Sequence, residues 1–178
     1  MPMSVQSSSI NEELGQVKYI FSDKTGTLTC NVMEFKNFST TTRSYEADDR
    51  PGSRTQLVIR NKNHPENKNI NDVLLHLALC HAIILDPRTK KYNSSSPDEL
   101  ALVEGAKSQG YEFLNKDPQN IISIKTPFNT LRYELLNVLE FTSTRKRMSV
   151  IIKDLQNGEI WLFTKGADSV IEKLLKGG

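Results

Sequence analysis

A polar loop around Asp23 carries the residue types that phosphoryl transfer requires. It follows the apolar segment at residues 17–21 and reads DKTGTLT over residues 23–29. Asp23 can act as a nucleophile that forms an aspartyl phosphate, and its carboxylate can share Mg²⁺, which prefers hard oxygen ligands. Gly26 lets the backbone turn tightly and bring N–H groups to an anion. The same residues also fit an ordinary polar turn after a strand.

A second segment, SPDE at residues 96–99, has the pattern of a helix start. Ser96 is a natural N-cap, Pro97 suits the first helical position, and Glu99 falls where a capping box places a glutamate. A cap at this position still leaves one carboxylate oxygen of Glu99 free for a ligand. The segment therefore fits either a structural helix start or part of a binding site.

A third segment, EFTSTRKRMSV at residues 140–150, places an aromatic residue before a basic cluster. Phe141 offers a face on which a purine can stack, and such a stack is worth about 1–3 kcal/mol. The cations Arg145, Lys146 and Arg147 would offset phosphate charge. The alternative is a core phenylalanine followed by a solvated basic turn.

A fourth segment, KGAD at residues 165–168, lies between a predicted strand and a predicted helix. Lys165 at such a junction can meet phosphates or a ribose, and Gly166 allows close approach of the backbone. Asp168 also fits a simple helix cap.

These segments together resemble the P-type ATPases. The string at residues 23–29 matches the phosphorylation motif of that family without a departure, and the other three segments follow in the family's order. Residues 11–17, 92–103 and 145–150 resemble the phospholipid-transporting (type IV) branch, and the resemblance extends over residues 11–176. A cation-transporting member of the family is the alternative.

The resemblance implies a phosphorylation site with Mg²⁺ as cofactor and ATP as substrate. Asp23 would attack the γ-phosphate, Lys24 would neutralise phosphate charge, and Thr25 would supply a backbone carbonyl to the metal, so that Asp23 and Thr25 are the expected metal ligands. Related phosphatases have an acid at the position of Thr25. Because threonine cannot make that proton transfer, the phosphoenzyme is expected to persist.

The resemblance also implies a nucleotide pocket. Adenine would stack on Phe141, Glu99 would lie near the adenine and ribose, and Lys165 beside Gly166 would be the nucleotide lysine. Three further residues are expected to line the pocket: Ser143, Lys146 and Met148.

Two competing patterns carry less weight. Lys24-Thr25-Gly26 with Ser143-x-x-Lys146 superficially resembles serine β-lactamase elements, but their order is reversed and a Ser-Asp-Asn element is missing. His76 and Cys80, four residues apart, could be half of a metal site, but no further ligands at suitable spacing support it. Core packing is the favoured interpretation of this pair.

The elements that must position these residues are predicted from hydrophobic spacing. A buried strand is expected at 17–21, a strand at 32–38, and a poorly structured stretch at 39–71 with a short strand at 56–59. Helices are expected at 72–85, 96–110 and 167–176, and strands at 121–125, 133–141, 148–154 and 159–164. Asn157-Gly158 predicts a hairpin turn. Successive strands without intervening helices predict an α/β (α+β) fold, with an antiparallel sheet and flanking helices.

Composition excludes several classes of protein. The chain has 178 residues, 37% of them hydrophobic, and a formal net charge of +2. No uninterrupted apolar run exceeds four residues, whereas a membrane helix needs about 20. Near-neutral charge argues against a nucleic-acid partner. The spacing of Cys30 and Cys80 suggests neither a metal site nor a disulfide framework and suits a reducing cytosol.

The expected organisation is a fragment of a larger membrane protein. Residues 1–13 are a polar lead-in, 14–31 begin a Rossmann-like phosphorylation domain, and 32–178 form a nucleotide-binding domain, whole or truncated at its C-terminus. The expected function is the ATP-binding and autophosphorylation segment, at the cytosolic face of a membrane, of a phospholipid-translocating ATPase. The phospholipid would contact a membrane domain outside this chain. The sequence leaves open whether the parent protein has an accessory subunit. The isolated chain could alternatively be a non-catalytic nucleotide-binding module.

Overall fold

The computed structural model describes residues 10–30, 32–47 and 50–175. The chain divides into two units between Val32 and Met33, and each unit is described by itself.

The first unit contains the short helix α1 (Ile10–Leu14) and an irregular segment after it. The buried strand predicted at residues 17–21 is wrong: these residues form no strand, and Phe21 is 96% exposed. A strand is stable where a neighbour satisfies its backbone N–H and C=O groups. Within the described residues, no strand pairs with this segment.

The second unit contains helices, two short hairpins and a five-stranded sheet. Its strands are β1 (Asn37–Ser39), β2 (Ser44–Glu46), β3 (Ile84–Leu85), β4 (Tyr92–Asn93), β5 (Glu112–Lys116), β6 (Ile121–Lys125), β7 (Thr130–Leu139), β8 (Arg147–Asp154) and β9 (Ile160–Gly166). Its helices are α2 (Arg54–Arg60), α3 (Asn67–Leu79), α4 (Pro97–Ser108) and α5 (Asp168–Ile171), and a 3₁₀ turn (Glu172–Leu174) follows α5.

The large sheet is an antiparallel meander in the order β5-β6-β7-β8-β9. Each strand pairs with the next strand along the chain, which confirms the predicted antiparallel sheet with flanking helices. The Asn157-Gly158 turn joins β8 to β9, and Gly158 has φ +76°, the left-handed conformation that such turns require.

The hydrophobic core lies where α3 and α4 pack against each other and against the first strands of the sheet. Its fully buried side chains include Ile70, Leu74, Leu79, Val103, Ile124, Val150 and Ile152. This packing fixes the start of α4 relative to the ends of the sheet strands. That placement forms the candidate site.

The stretch at 39–71 is more ordered than predicted. It contains the β1–β2 hairpin, all of α2 and the start of α3, and residues 56–59 are helical. The hydroxyl of Ser53 accepts a hydrogen bond from the N–H of Gln56. This N-cap satisfies one of the unpaired donors at the helix start, so the apolar pair Val58 and Ile59 belongs to a helix and not to a strand.

Other boundaries also differ from the prediction. α3 occupies Asn67–Leu79 instead of 72–85. It ends before residue 85 because the ring of His81 accepts a hydrogen bond from Ile83 N–H through Nδ1 and contacts the carbonyl of Ala78 through Nε2. β5 was not predicted. The first turns of the helix expected at 167–176 are α5 and the 3₁₀ turn, and residue 176 lies outside the described residues. Of the strand expected at 32–38, only its end belongs to β1.

Among the residues that the structure describes, no helix combines the length and the apolar character of a membrane span.

Candidate functional site

A cavity of about 650 Å³ opens between the start of α4 and the ends of the sheet strands. Most of the predicted nucleotide residues in the second unit line it. These are Glu99, Phe141, Met148, Lys165 and Gly166. They come from four separate elements, so the fold brings together residues that the sequence separates widely.

An ion pair lies in the wall of the cavity. Lys165 Nζ lies 3.0 Å from Glu99 Oε1, and the two side chains are only 21% and 12% exposed. The same Oε1 accepts the N–H of Ala82 at 3.2 Å, and the other oxygen accepts the hydroxyl of Ser94 at 3.2 Å. The carboxylate of Glu99 is therefore held by a cation and two neutral donors.

These partners keep Glu99 ionised. Burial on its own raises the pKa of Glu99, but the hydrogen bond and charge of Lys165 act in the opposite direction. The donors Ala82 and Ser94 add to that effect, and the net pKa lies below its usual value. A negative charge therefore persists in the cavity at neutral pH.

The start of α4 supports this arrangement. The Ser96 hydroxyl accepts the N–H of Glu99 at 3.3 Å, and Pro97 is the first helical residue. The predicted helix start is confirmed. Capping uses the backbone of Glu99, so its side chain is available to Lys165.

The pairing register of β8 and β9 positions the residues of the second wall of the cavity. Met148 lies opposite Lys165, and Arg147 lies opposite Gly166. Met148 is buried and supplies an apolar floor. A Cβ at Gly166 would lie 2.6 Å from the carbonyl oxygen of Lys146 and 2.6 Å from Cβ of Arg147, so only glycine permits this close approach.

Phe141 follows the end of β7 and is 60% exposed beside the cavity. Its ring is open to a ligand and is not part of the core. The alternative of a core phenylalanine is therefore wrong, and the solvent-facing ring is compatible with stacking of a planar group.

Ser143 and Lys146 do not line the cavity. Both are exposed in the turn between β7 and β8, and Lys146 has φ +50°. This left-handed backbone lets the carbonyl of Lys146 accept the N–H of Ala167 at 3.0 Å. In this structure the backbone of Lys146, rather than its ammonium group, supports the site.

Sequence reasoning missed several lining residues, among them Ala82, Asp98, Leu102 and Glu140. Asp98 adjoins a residue that was predicted, so proximity in sequence could have found it. Ala82 lies in the turn after α3 and contributes a backbone N–H, for which no side-chain pattern exists.

The Asp23 loop belongs to the first unit. Asp23 is exposed, and its Oδ1 accepts the N–H of Lys24 at 2.8 Å. Gly26 has φ +81°, as a tight glycine turn requires, and donates its N–H to Thr29 Oγ1 at 3.2 Å. Thr25 is also exposed. The roles of Asp23, Lys24 and Thr25 in phosphoryl transfer and metal binding stay predictions.

His76 and Cys80 pack against Phe163 of β9. The Cys80 thiol points to the carbonyl of Phe163 at 3.7 Å, and the His76 ring lies 5.0 Å from the Phe163 ring. Burial raises the pKa of Cys80 to about 11. Burial, with the charge of Lys165 as a second cause, lowers the pKa of His76 to about 4. No group of three or more potential metal-ligating side chains occurs within residues 10–30, 32–47 and 50–175, and this pair is a packing contact.

Comparison with known proteins agrees with this geometry. The family profile described as P-type ATPase, cytoplasmic domain N, matches residues 69–176. The chain is 44% identical over 178 residues to "Phospholipid-transporting ATPase tat-1" of Caenorhabditis elegans, covering 97% of this chain and 16% of the nematode protein.

Further relatives give the same result. Identity is 42% to "Phospholipid-transporting ATPase DRS2" of Saccharomyces cerevisiae, over 96% of this chain and 14% of the yeast protein. It is 36% to "Phospholipid-transporting ATPase IK" of Mus musculus, over 99% of this chain and 15% of the mouse protein. The chain thus spans 14–16% of the length of these relatives. It belongs to the P-type ATPase family, with residues 69–176 matching the cytoplasmic N domain.

Proposed function

We propose that this chain is the ATP-binding and phosphate-accepting segment of a phospholipid-transporting P-type ATPase. The cavity between α4 and β9 would hold the adenosine part of ATP. The observation that carries the proposal is that the exposed ring of Phe141 shares one cavity with the Lys165–Glu99 ion pair. The names of the relatives support phospholipid rather than cation transport.

The chemistry of the cavity suits a purine nucleoside. Phe141 presents an open aromatic face, and Met148 offers an apolar contact for the ring edge. The ionised carboxylate of Glu99 can accept a hydrogen bond from the amino group of adenine or from a ribose hydroxyl. Stacking supplies about 1–3 kcal/mol, and hydrogen bonds to the charged group would add orientation.

Lys165 links the nucleoside to the phosphates. Its ammonium group has three donors, of which one is used by Glu99 Oε1. The other donors can meet a ribose oxygen or a phosphate oxygen while the ion pair stays intact. Gly166 keeps the backbone close to the Lys146 carbonyl, where a Cβ would clash.

Asp23 is the proposed phosphate acceptor in the intact enzyme. One carboxylate oxygen of Asp23 would form a bond to the γ-phosphorus of ATP while the bond between that phosphorus and the β,γ-bridging oxygen breaks, and ADP leaves. Magnesium would offset the phosphate charge, with the Asp23 carboxylate and the Thr25 carbonyl as ligands. Lys24 would balance negative charge next to the acceptor.

For the isolated chain we propose binding of ATP without turnover. Residues 17–21, which lead into the Asp23 loop, form no strand and are exposed. An acceptor on an irregular segment lacks the fixed geometry that in-line transfer requires. The loop would gain that geometry in the intact protein.

Titration of the chain with ATP, followed by NMR, tests the binding site. We expect shifts at Phe141, Met148 and Lys165, and loss of these shifts in Phe141→Ala. Phe128→Ala is the matched control, because Phe128 is also exposed (43%) but does not line the cavity. Equal binding by the Phe141→Ala and wild-type chains would refute the proposed site.

Labelling with γ-³²P ATP tests the acceptor. In the intact protein, we expect an acid-stable, hydroxylamine-sensitive label that Asp23→Asn removes. Labelling that survives Asp23→Asn would refute the assignment. Efficient labelling of the isolated chain would refute the proposal that it binds without reacting.

A further inference from the structure

One guanidinium nitrogen of Arg145, Nη1, is bound to the backbone of its own turn. It donates to the carbonyl oxygens of Leu139 at 2.9 Å, Glu140 at 2.7 Å and Arg147 at 3.3 Å. These carbonyls lie at the end of β7 and the start of β8. One side chain thus connects the two strands across the turn.

The turn has further internal bonds. The N–H of Arg145 donates to Thr142 Oγ1 at 3.1 Å, and the N–H of Lys146 donates to the Thr142 carbonyl at 2.7 Å. The carbonyl of Lys146 then accepts the N–H of Ala167 at 3.0 Å. The turn is therefore joined to the end of β9, which carries Lys165.

The bond to the carbonyl of Glu140 bears directly on Phe141. That oxygen belongs to the planar peptide unit that joins Glu140 to Phe141. Fixing it fixes the direction in which the backbone enters Phe141, and with it the position from which the aromatic ring reaches the cavity. Arg145 itself does not line the cavity.

We propose that Arg145 is a positioning residue that holds Phe141 at the cavity through the carbonyls of Leu139 and Glu140. This rests on the proposed function, in which Phe141 stacks on adenine. It differs from the role expected from the sequence, in which Arg145 offsets phosphate charge. We expect lysine to be a poor substitute, because its ammonium nitrogen ends a flexible stem, whereas the planar guanidinium holds Nη1 in a fixed direction toward these carbonyls.

Binding of three separate probes distinguishes the two roles: adenosine, ATP and inorganic tripolyphosphate. For Arg145→Lys in the full chain, we expect the affinities for adenosine and for ATP to fall by the same factor. That factor should be about five- to tenfold, as partial loss of a stacking contact predicts. Tripolyphosphate binding should not change. Arg132→Lys is the matched control, because Arg132 lies on β7 outside the turn, and it should leave all three probes unaffected.

A double variant tests the route through Phe141. If Arg145 acts by positioning that ring, Phe141→Ala combined with Arg145→Lys should bind adenosine no more weakly than Phe141→Ala alone. The proposal would be overturned if the two substitutions lowered adenosine affinity by independent factors that multiply in the double variant. It would also be overturned if Arg145→Gln weakened ATP and tripolyphosphate while adenosine binding and the Arg145→Lys variant stayed normal, since that pattern identifies a phosphate ligand.

The aromatic NMR signals of Phe141 in the ligand-free chain separate this inference from the proposed function. We expect Arg145→Lys and Arg145→Gln to shift or broaden these signals, with the remaining spectrum and the thermal midpoint near those of the wild type. Unchanged Phe141 signals would refute the positioning role. Failure of the wild-type chain to bind adenosine would instead refute the stacking site, and the ligand-free signals would still decide the role of Arg145.

Discussion

Lys165 Nζ lies 3.0 Å from Oε1 of Glu99, a residue 66 positions earlier in the chain. Each side chain is mostly buried, so each would lose solvation without regaining a partner if the other were removed. The ion pair therefore links the start of α4 to the end of β9. Stability and ligand binding should depend on it together.

Glu99→Gln tests this dependence. We expect the free energy of unfolding to fall by about 1–2 kcal/mol, below the cost of breaking a fully buried pair, because the amide still offers an acceptor and both groups retain some solvent. Urea unfolding measures this change. Glu104→Gln on the exposed face of α4 is the matched control and should cost under about 0.5 kcal/mol. An equal effect of both variants would contradict the importance of the ion pair.

Gly166→Ala should separate β9 from the turn before β8. The added Cβ would lie 2.6 Å from the Lys146 carbonyl oxygen, and overpacking against backbone costs about 1–3 kcal/mol. We expect both lower stability and weaker ATP binding, measured by thermal unfolding and NMR titration.

Gly158→Ala provides the comparison for that variant. Gly158 has φ +76°, but among the described residues no atom lies within 4 Å of its added Cβ. It should cost backbone strain of about 1 kcal/mol and leave ATP affinity unchanged. Normal ATP binding by Gly166→Ala would show that the close approach is not needed for the site.

Gly105→Ala should displace Phe35 from α4. A Cβ at Gly105 would overlap the Phe35 ring and would lie 2.6 Å from its Cβ, so the whole side chain must move and not only its tip. We expect a loss of about 1–3 kcal/mol in the free energy of unfolding. The double variant Gly105→Ala with Phe35→Ala should recover part of the steric cost, and a simple sum of the two losses would contradict the clash.

Acid should destabilise the fold through His76 and His81. Burial is the main cause that lowers the pKa of both residues from 6.5 to about 4. Between these values the unfolded state binds more protons than the folded state, so stability is complete above about pH 6.5 and declines as the pH falls toward 4. A pKa shift of this size corresponds to a loss of roughly 3 kcal/mol in the free energy of unfolding for each histidine when the pH has fallen to about 4.

Urea unfolding between pH 7.5 and 4.5 measures this dependence. We expect His76→Gln combined with His81→Gln to flatten the pH profile. Glu99 adds to the loss only near and below pH 4.5, because its pKa is lowered from 4.5 and its stabilising contribution is complete above that value. An unchanged slope in the double variant would exclude the histidines as its source.

The two cysteines should differ in reactivity. Cys80 is buried, and burial raises the pKa of its thiol to about 11, whereas Cys30 is exposed. Since the thiolate is the nucleophile, we expect a disulfide reagent such as Ellman's reagent to modify Cys30 rapidly and Cys80 only after unfolding. The Cys30→Ser variant should be nearly unreactive in the native state, and rapid modification of that variant would contradict the burial of Cys80.

Local patterns predicted the elements whose causes are local. The Ser96-Pro97 start of α4 and the turn at Asn157-Gly158 both depend on residues within a few positions of each other, and both are observed. The segment at 17–21 was predicted wrongly, because hydrophobic strand-forming residues give a strand only where another strand pairs with them. The helix at 54–60 was missed because the cap from Ser53 outweighs the β-branched pair inside it.

In the candidate site, too, the sequence predicts some contributions and not others. Glu99, Phe141 and Lys165 carry side-chain chemistry that a sequence displays, and the fold places them in one cavity. The backbone N–H of Ala82 and the carbonyl bonds of Arg145 depend on how turns close in three dimensions. No residue-type pattern encodes these contacts.

The meander order of the large sheet has a consequence for how the domain forms during synthesis. Each strand pairs with the one made just before it, so the sheet can assemble by successive local closures with little loop entropy. The cavity is different, because its walls come from the start of α4 and from the end of β9, the last strand of the sheet. We therefore expect nucleotide affinity to appear only when β9 has left the ribosome and paired, so that ATP binding reports completion of the sheet.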